Sequence, residues 1–91
     1  MKKFYMVVNP HGGLKKGIKI LEKVRPIFEG GGAELTVLET EYAGHAREYA
    51  NEMDFTGYDG FCAIGGDGTM HEVINGMLKR PDGRKLPIGL V

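Results

Sequence analysis

At 91 residues the chain is bounded to one domain, and one so short that it buries only roughly 60 to 65 per cent of its unfolded surface. With 42% hydrophobic and 26% charged residues it has a soluble globular composition, and no apolar run nears the ~18 residues of a membrane span. Twelve basic residues balance twelve acidic ones, so no net field draws the chain to nucleic acid or to an anionic bilayer. The one cysteine, Cys62, has no internal disulfide partner, which fits a reducing, cytoplasmic compartment.

Phe4 to Val8 is a continuous apolar run with β-branched and aromatic members, as expected of a strand covered on both faces. Five apolar residues after Met1-Lys2-Lys3 are too few for a signal peptide, and Asn9-Pro10 interrupts them. From Leu14 to about Glu29, Leu14, Ile18, Leu21, Val24 and Phe28 recur every three or four residues, one face of a helix. Pro26 is expected to kink or shorten that helix, and Gly30-Gly31-Gly32 to stop it. Leu35 to Leu38 reads as a second strand closing on Glu39-Thr40-Glu41. A second helix follows from about Gly44 to Met53, with Ala46, Tyr49, Ala50 and Met53 on one side. A third strand covers Asp59 to Ile64, and a third helix spans about Thr69 to Lys79 with Met70, Val73, Ile74, Met77 and Leu78 inward. Pro81-Asp82-Gly83 is a turn, and Leu86 to Val91 resembles a fourth strand. This alternation predicts a three-layer α/β/α, Rossmann-like parallel sheet with right-handed crossovers. Ligands bind such sheets at the carboxyl ends of the strands. Asn9 to Gly13, Thr40 and Gly65 to Thr69 all fall there.

Fifteen glycines is about twice ordinary usage, and three of them, Gly65, Gly66 and Gly68, surround Asp67 between strand and helix. Glycines take backbone angles closed to other residues and let a ligand approach the main chain, while the helix start offers unpaired N–H groups to an anion. Asp67 is out of place among phosphates unless a metal ion or a transferable proton accounts for it. The turn is neither G-x-G-x-x-G nor a P-loop. Asn9 and the backbone of Gly12 and Gly13 face the same rim, with Lys15 and Lys16 close enough to neutralise phosphate charge.

Asn9-Pro10-x-Gly12-Gly13, Thr40 followed by Gly44-His45-Ala46, and Gly65-Gly66-Asp67-Gly68-Thr69-Met70-His71-Glu72-Val73-x-Asn75-Gly76 together resemble the catalytic domain of the diacylglycerol kinase and sphingosine kinase family. The glycine-aspartate-glycine turn is shared with NAD kinases, but the run from Glu72 to Gly76 favours the lipid kinases. Met70-His71-Glu72 and Arg80-Pro81-Asp82 are more like sphingosine kinases, whereas Gly65-Gly66 and Thr69 are more like bacterial diacylglycerol kinases.

The resemblance implies phosphoryl transfer from ATP, with Mg2+ on the nucleotide, to the hydroxyl of diacylglycerol or a sphingoid base. It implies nucleotide contacts from Asn9, Pro10, His11, Gly12, Gly13 and Thr40, and from Gly66, Asp67, Gly68, Thr69, Met70, His71 and Glu72. Asp67 matches the residue proposed as base towards the lipid hydroxyl; no residue is assigned as a dedicated metal ligand. Residues 1–91 are then the nucleotide-binding, amino-terminal part of a longer enzyme, weak for nucleotide and inactive alone, whose β-rich carboxyl-terminal domain carries most of the lipid pocket. Peripheral membrane contact by the full-length enzyme and oligomer formation stay open, and no nucleic acid is expected. Two other readings stand beside it, an NAD kinase and a non-catalytic nucleotide-binding module.

Plainer readings also exist for single residues. Glu72 and Asn75 could be a solvated face favoured by the helix dipole. His71 could be a surface residue, and His45 could help ATP or pack on the second strand. Cys62 and Met53, Met70 and Met77 read as core. Lys79, Arg80, Arg84 and Lys85 are more simply solvated than membrane-bound.

Overall fold

The computed structural model describes residues 2–10 and 16–91. His11, Gly12, Gly13, Leu14 and Lys15, which carry part of the first expected phosphate turn, lie outside the described residues. The elements are β1 (Lys2–Val8), α1 (Lys16–Gly30), β2 (Ala33–Glu39), α2 (His45–Glu52), β3 (Gly60–Ile64), α3 (Asp67–Leu78) and β4 (Ile88–Leu90). All pairings are parallel, in the order β2-β1-β3-β4, with Val8 opposite both Glu39 and Ile64. The ends of β1, β2 and β3 are therefore level with one another.

Strand alternation divides the core in two. Tyr5 and Val7 of β1 with Phe61 and Ala63 of β3 pack against Ala46 and Ala50 of α2 and Val73 and Met77 of α3. Met6, Val8, Cys62 and Ile64 point the other way, onto Leu21 with Ile18, Val24 and Phe28 of α1. The sheet thus carries one helix on one face and two on the other, the expected three layers. Complete burial of Phe61, Met6, Ile64, Val7, Val8 and Val73 stabilises the fold by about 1.5 to 3 kcal/mol each. Burial also pushes the Cys62 thiol up, and the residue is core as expected.

The chain leaves β1 for α1 on one face and leaves β3 for α3 on the other. Between those two departures a crevice opens at the carboxyl edge, the ligand position in doubly wound sheets.

Two expectations are corrected. Pro26 lies inside α1, which runs on to Gly30, so the proline does not shorten the helix. Pro26 and Glu22 are both exposed, so water can satisfy the Glu22 carbonyl that a proline N cannot reach. On α3 the buried residues are Val73, Gly76 and Met77, while Ile74 and Leu78 are 39% and 61% exposed. A Cβ at Gly76 would lie 2.2 Å from the Arg47 carbonyl oxygen, so the helix turns its glycine side to α2 and carries Ile74 and Leu78 outward.

Candidate functional site

The Thr40 N–H donates to the Val8 carbonyl at 2.9 Å, drawing the end of β2 against the end of β1 and setting Thr40 near Asn9. Thr40 is buried, one of two polar side chains that are among the described residues, and lies where three loops meet. A cleft of about 340 Å³ is lined there by Asn9, Thr40, Glu41, Tyr42, Ala43, Ala46, Thr69 and Glu72. A second lobe of about 300 Å³ opens towards α1, lined by Asn9, Lys16, Gly17, Ile20, Ile64, Gly65, Gly66 and Thr69. Asn9 and Thr69 belong to both and separate them.

The local backbone explains the second lobe. Gly65 has φ +151°, and a Cβ there would meet Thr69 Oγ1 at 2.8 Å, so this position needs glycine for conformation and for space. Gly66 differs: its backbone is extended at φ −87°, Gly68 is helical, and a Cβ at either would touch no protein atom. The expectation that special backbone angles require glycine is therefore corrected at these two positions. Their missing side chains leave open space above the first turn of α3, where no side chain caps the helix start. Thr69 and Met70 turn their N–H groups to the Gly66 carbonyl, and the helix dipole remains directed at that space. Gly17 lets α1 close on β1, since a Cβ there would lie 2.8 Å from Val8 Cγ2 and 3.1 Å from the Asn9 carbonyl.

The two lobes differ in charge. Glu41 and Glu72 line the first, which favours donors such as hydroxyl and amino groups. Lys16, open glycine backbone and the α3 dipole surround the second, which favours an anion. Among the described residues no group of three or more His, Cys, Asp or Glu side chains could hold a metal ion by itself.

The diacylglycerol kinase catalytic domain family matches residues 3–91 of the chain. The chain belongs to that family. Sphingosine kinase 1 of Arabidopsis thaliana is 46% identical over 94 residues, covering 99% of this chain and 19% of that protein. Sphingoid long chain base kinase 5 of Saccharomyces cerevisiae is 42% identical over 82 residues, covering 89% of this chain and 12% of that protein. A diacylglycerol kinase from Bacillus anthracis str. Sterne shares the fold with a TM-score of 0.70 at 28% identity, over 99% of this chain and 32% of that one. The chain thus spans about a fifth of the length of the plant relative and a third of the bacterial one.

Of the residues this kinase-family resemblance singled out, Asn9, Thr40, Thr69 and Glu72 come together in the first lobe, and Asn9, Gly66 and Thr69 in the second. Pro10, Gly68, Met70 and His71 line neither; Met70 is half-buried and His71 exposed. Asp67 also lines neither lobe and stands exposed as the first residue of α3, at the rim.

Sequence reasoning missed Tyr42. Its ring stacks on His45 at 4.3 Å, and His45 in turn on Tyr49 at 4.1 Å. His45 Nδ1 accepts the Glu41 N–H at 2.9 Å, Tyr49 donates to the Glu39 carbonyl at 2.8 Å, and the Tyr42 hydroxyl donates to the Glu48 carboxylate. That bond, with lesser help from burial, pushes the Tyr42 phenol up to about 12. The one available signal was Thr40 and His45 bracketing a four-residue turn, with Tyr49 one helical turn further on.

Proposed function

We propose that this chain is the nucleotide-binding part of an ATP-dependent lipid kinase that transfers the γ-phosphoryl group to a lipid hydroxyl. The observation that carries this reading is the meeting of Asn9, Thr40, Thr69 and Glu72 in one cleft beside the uncapped start of α3. The base and ribose take the acidic first lobe, where Glu72 and Glu41 accept from amino and hydroxyl groups. The triphosphate takes the second, beside Lys16 and over Gly65 and Gly66, where a Cβ at Gly66 would fill free space. ATP supplies the phosphoryl group, and Mg2+ arrives with it, since Mg2+ needs only one or two protein carboxylates besides phosphate oxygens and water.

Asp67 lies outside both lobes, so it meets the acceptor rather than the body of the nucleotide. It orients the lipid hydroxyl and takes its proton, while the α3 dipole and Lys16 offset phosphate charge. A sphingoid base is the first acceptor to try, because relatives named for that substrate reach 46% and 42% identity against 28% for the bacterial diacylglycerol kinase. A β-rich domain of the full protein supplies the lipid pocket, and the enzyme works in the cytoplasm at a membrane surface.

Asp67→Asn in the protein carrying this chain is the test. Transfer reduced about a hundredfold with ATP affinity kept within about twofold supports the assignment. Unchanged transfer removes Asp67 from the chemistry, and lost ATP affinity moves it to holding metal. Binding of NAD without lipid-dependent ATP consumption would turn the reading to an NAD kinase.

A further inference from the structure

The three rings Tyr42, His45 and Tyr49 form a column beside the cleft. Their centroids are 4.3 and 4.1 Å apart, with planes 8° and 22° from parallel. Only the end ring lines the cleft: Tyr42 is there with Glu41, Thr40 and Ala43. It is also 55% exposed, yet held in one orientation. Both ends of the side chain are fixed, one ring face on the His45 imidazole and the hydroxyl on Glu48. His45 is fixed too, by the Glu41 N–H on Nδ1 and by Tyr49 on its other face.

Tyr49, at the foot of the column, packs against the core, but the Tyr42 end does not. Tyr42 joins neither hydrophobic cluster, and the core closes without it. A rigid, half-open aromatic face at the mouth of an acidic cleft is suited to a flat heteroaromatic ring, which gains dispersion and excludes water at little cost in side-chain entropy.

We propose that Tyr42 is the platform on which the nucleotide base stacks, with His45 and Tyr49 as positioning residues beneath it. This rests on the nucleotide reading of the cleft and adds what recognises the base. Every base has a π-face, so the platform is tolerant of base identity, and GTP gains from it as ATP does.

The test is calorimetric titration of the protein carrying this chain with Mg-ATP and, separately, with Mg-tripolyphosphate, which lacks base and ribose. Tyr42→Ala is expected to weaken ATP roughly tenfold and to leave tripolyphosphate unchanged, since stacking on one aromatic ring is worth about that much per base. Tyr42→Phe keeps the ring and stays within about twofold of the parent for both ligands. His45→Ala shows the same split with a smaller loss. In the parent protein, ATP shifts the Tyr42 ring-proton resonances upfield and tripolyphosphate does not, an outcome independent of any variant's folding. Tyr42→Ala that binds ATP like the parent, or that loses both ligands equally, overturns the platform while leaving the nucleotide reading intact. A parent protein that binds neither ligand overturns both.

Discussion

At the amino ends of the strands, Arg80 closes the carboxyl end of α2. Its Nη1 donates to the carbonyls of Ala50, Asn51 and Met53 at 3.1, 3.2 and 2.8 Å, and its other nitrogens hold Asp82 in a two-point pair at 3.0 and 2.7 Å. The guanidinium lies 3.6 Å above the Phe55 ring, and the residue is only 8% exposed. At the opposite rim α3 begins without a side-chain cap, and α2 begins at Gly44, φ +89°, also without one. One end of the domain satisfies a helix terminus with a side chain; the other leaves its helix starts without one, open to water or to a ligand. Polar groups cost free energy when unpaired, so the difference marks where a ligand is expected and where only stability is served.

The largest effect that would test this contrast is at the closed end. Arg80→Ala removes five hydrogen bonds and the ring contact, and is expected to destabilise the chain by about 2 to 4 kcal/mol, read from the urea midpoint, with little change in nucleotide affinity beyond unfolding. A loss under about 0.5 kcal/mol would mean that the α2 terminus is equally well satisfied by water.

The open end should respond in the reverse way. Gly66→Ala adds a methyl that meets no protein atom, so stability stays within about 0.5 kcal/mol. Nucleotide affinity falls roughly tenfold, about 1.4 kcal/mol, because that methyl occupies the phosphate space. Unchanged affinity by titration calorimetry would place the phosphates elsewhere.

Two titrations give smaller effects. Arg80 beside Asp82 holds its carboxyl below the ordinary range, and the Thr56 N–H does the same for Asp54. A carboxyl lowered by folding contributes stability that is complete above its unfolded value of about 4 and is lost as pH falls through the folded one. The closed end therefore weakens below about pH 4, and Arg80→Ala flattens the Asp82 part of that limb in an NMR titration. On the alkaline side, Tyr5 is pushed up to about 12 by burial first and by Tyr58 second, and Tyr42 to about 12 by Glu48. Both keep their protons past the usual value of about 10, so the stability they confer is intact below it and fades as pH nears 12. Burial raises Tyr49 as well, so absorbance at alkaline pH should show Tyr5, Tyr42 and Tyr49 ionising late, and Glu48→Gln should bring Tyr42 down.

Much of the fold was readable because apolar periodicity and glycine punctuation act locally. β1, α2 and β3 fall within two residues of expectation, and Asn9, Thr40 and Thr69 meet because parallel strands in this order leave their carboxyl ends level. What could not be read depends on partners far along the chain. Ile74 and Leu78 satisfy the helical pattern as well as Val73 does, and only the approach of Arg47 to Gly76, 29 residues later, decides which side is covered. Arg80 sits in a run with Lys79 near a turn, which in isolation describes a solvated cluster; its carbonyl partners are about 30 residues earlier. Tyr42 lies in a loop, where neither period applies, and its role emerges only once His45 and Tyr49 stack behind it.

The central position of β1 has a consequence for how the chain is made. Its first edge finds Ala33–Glu39 soon after those residues are synthesised, but its second edge waits for Gly60–Ile64. Until then the apolar run from Phe4 to Val8 presents one unpaired side, open to another nascent copy. The interval between those two pairings is the moment at which a chaperone, or a slower ribosome, would matter most to this protein.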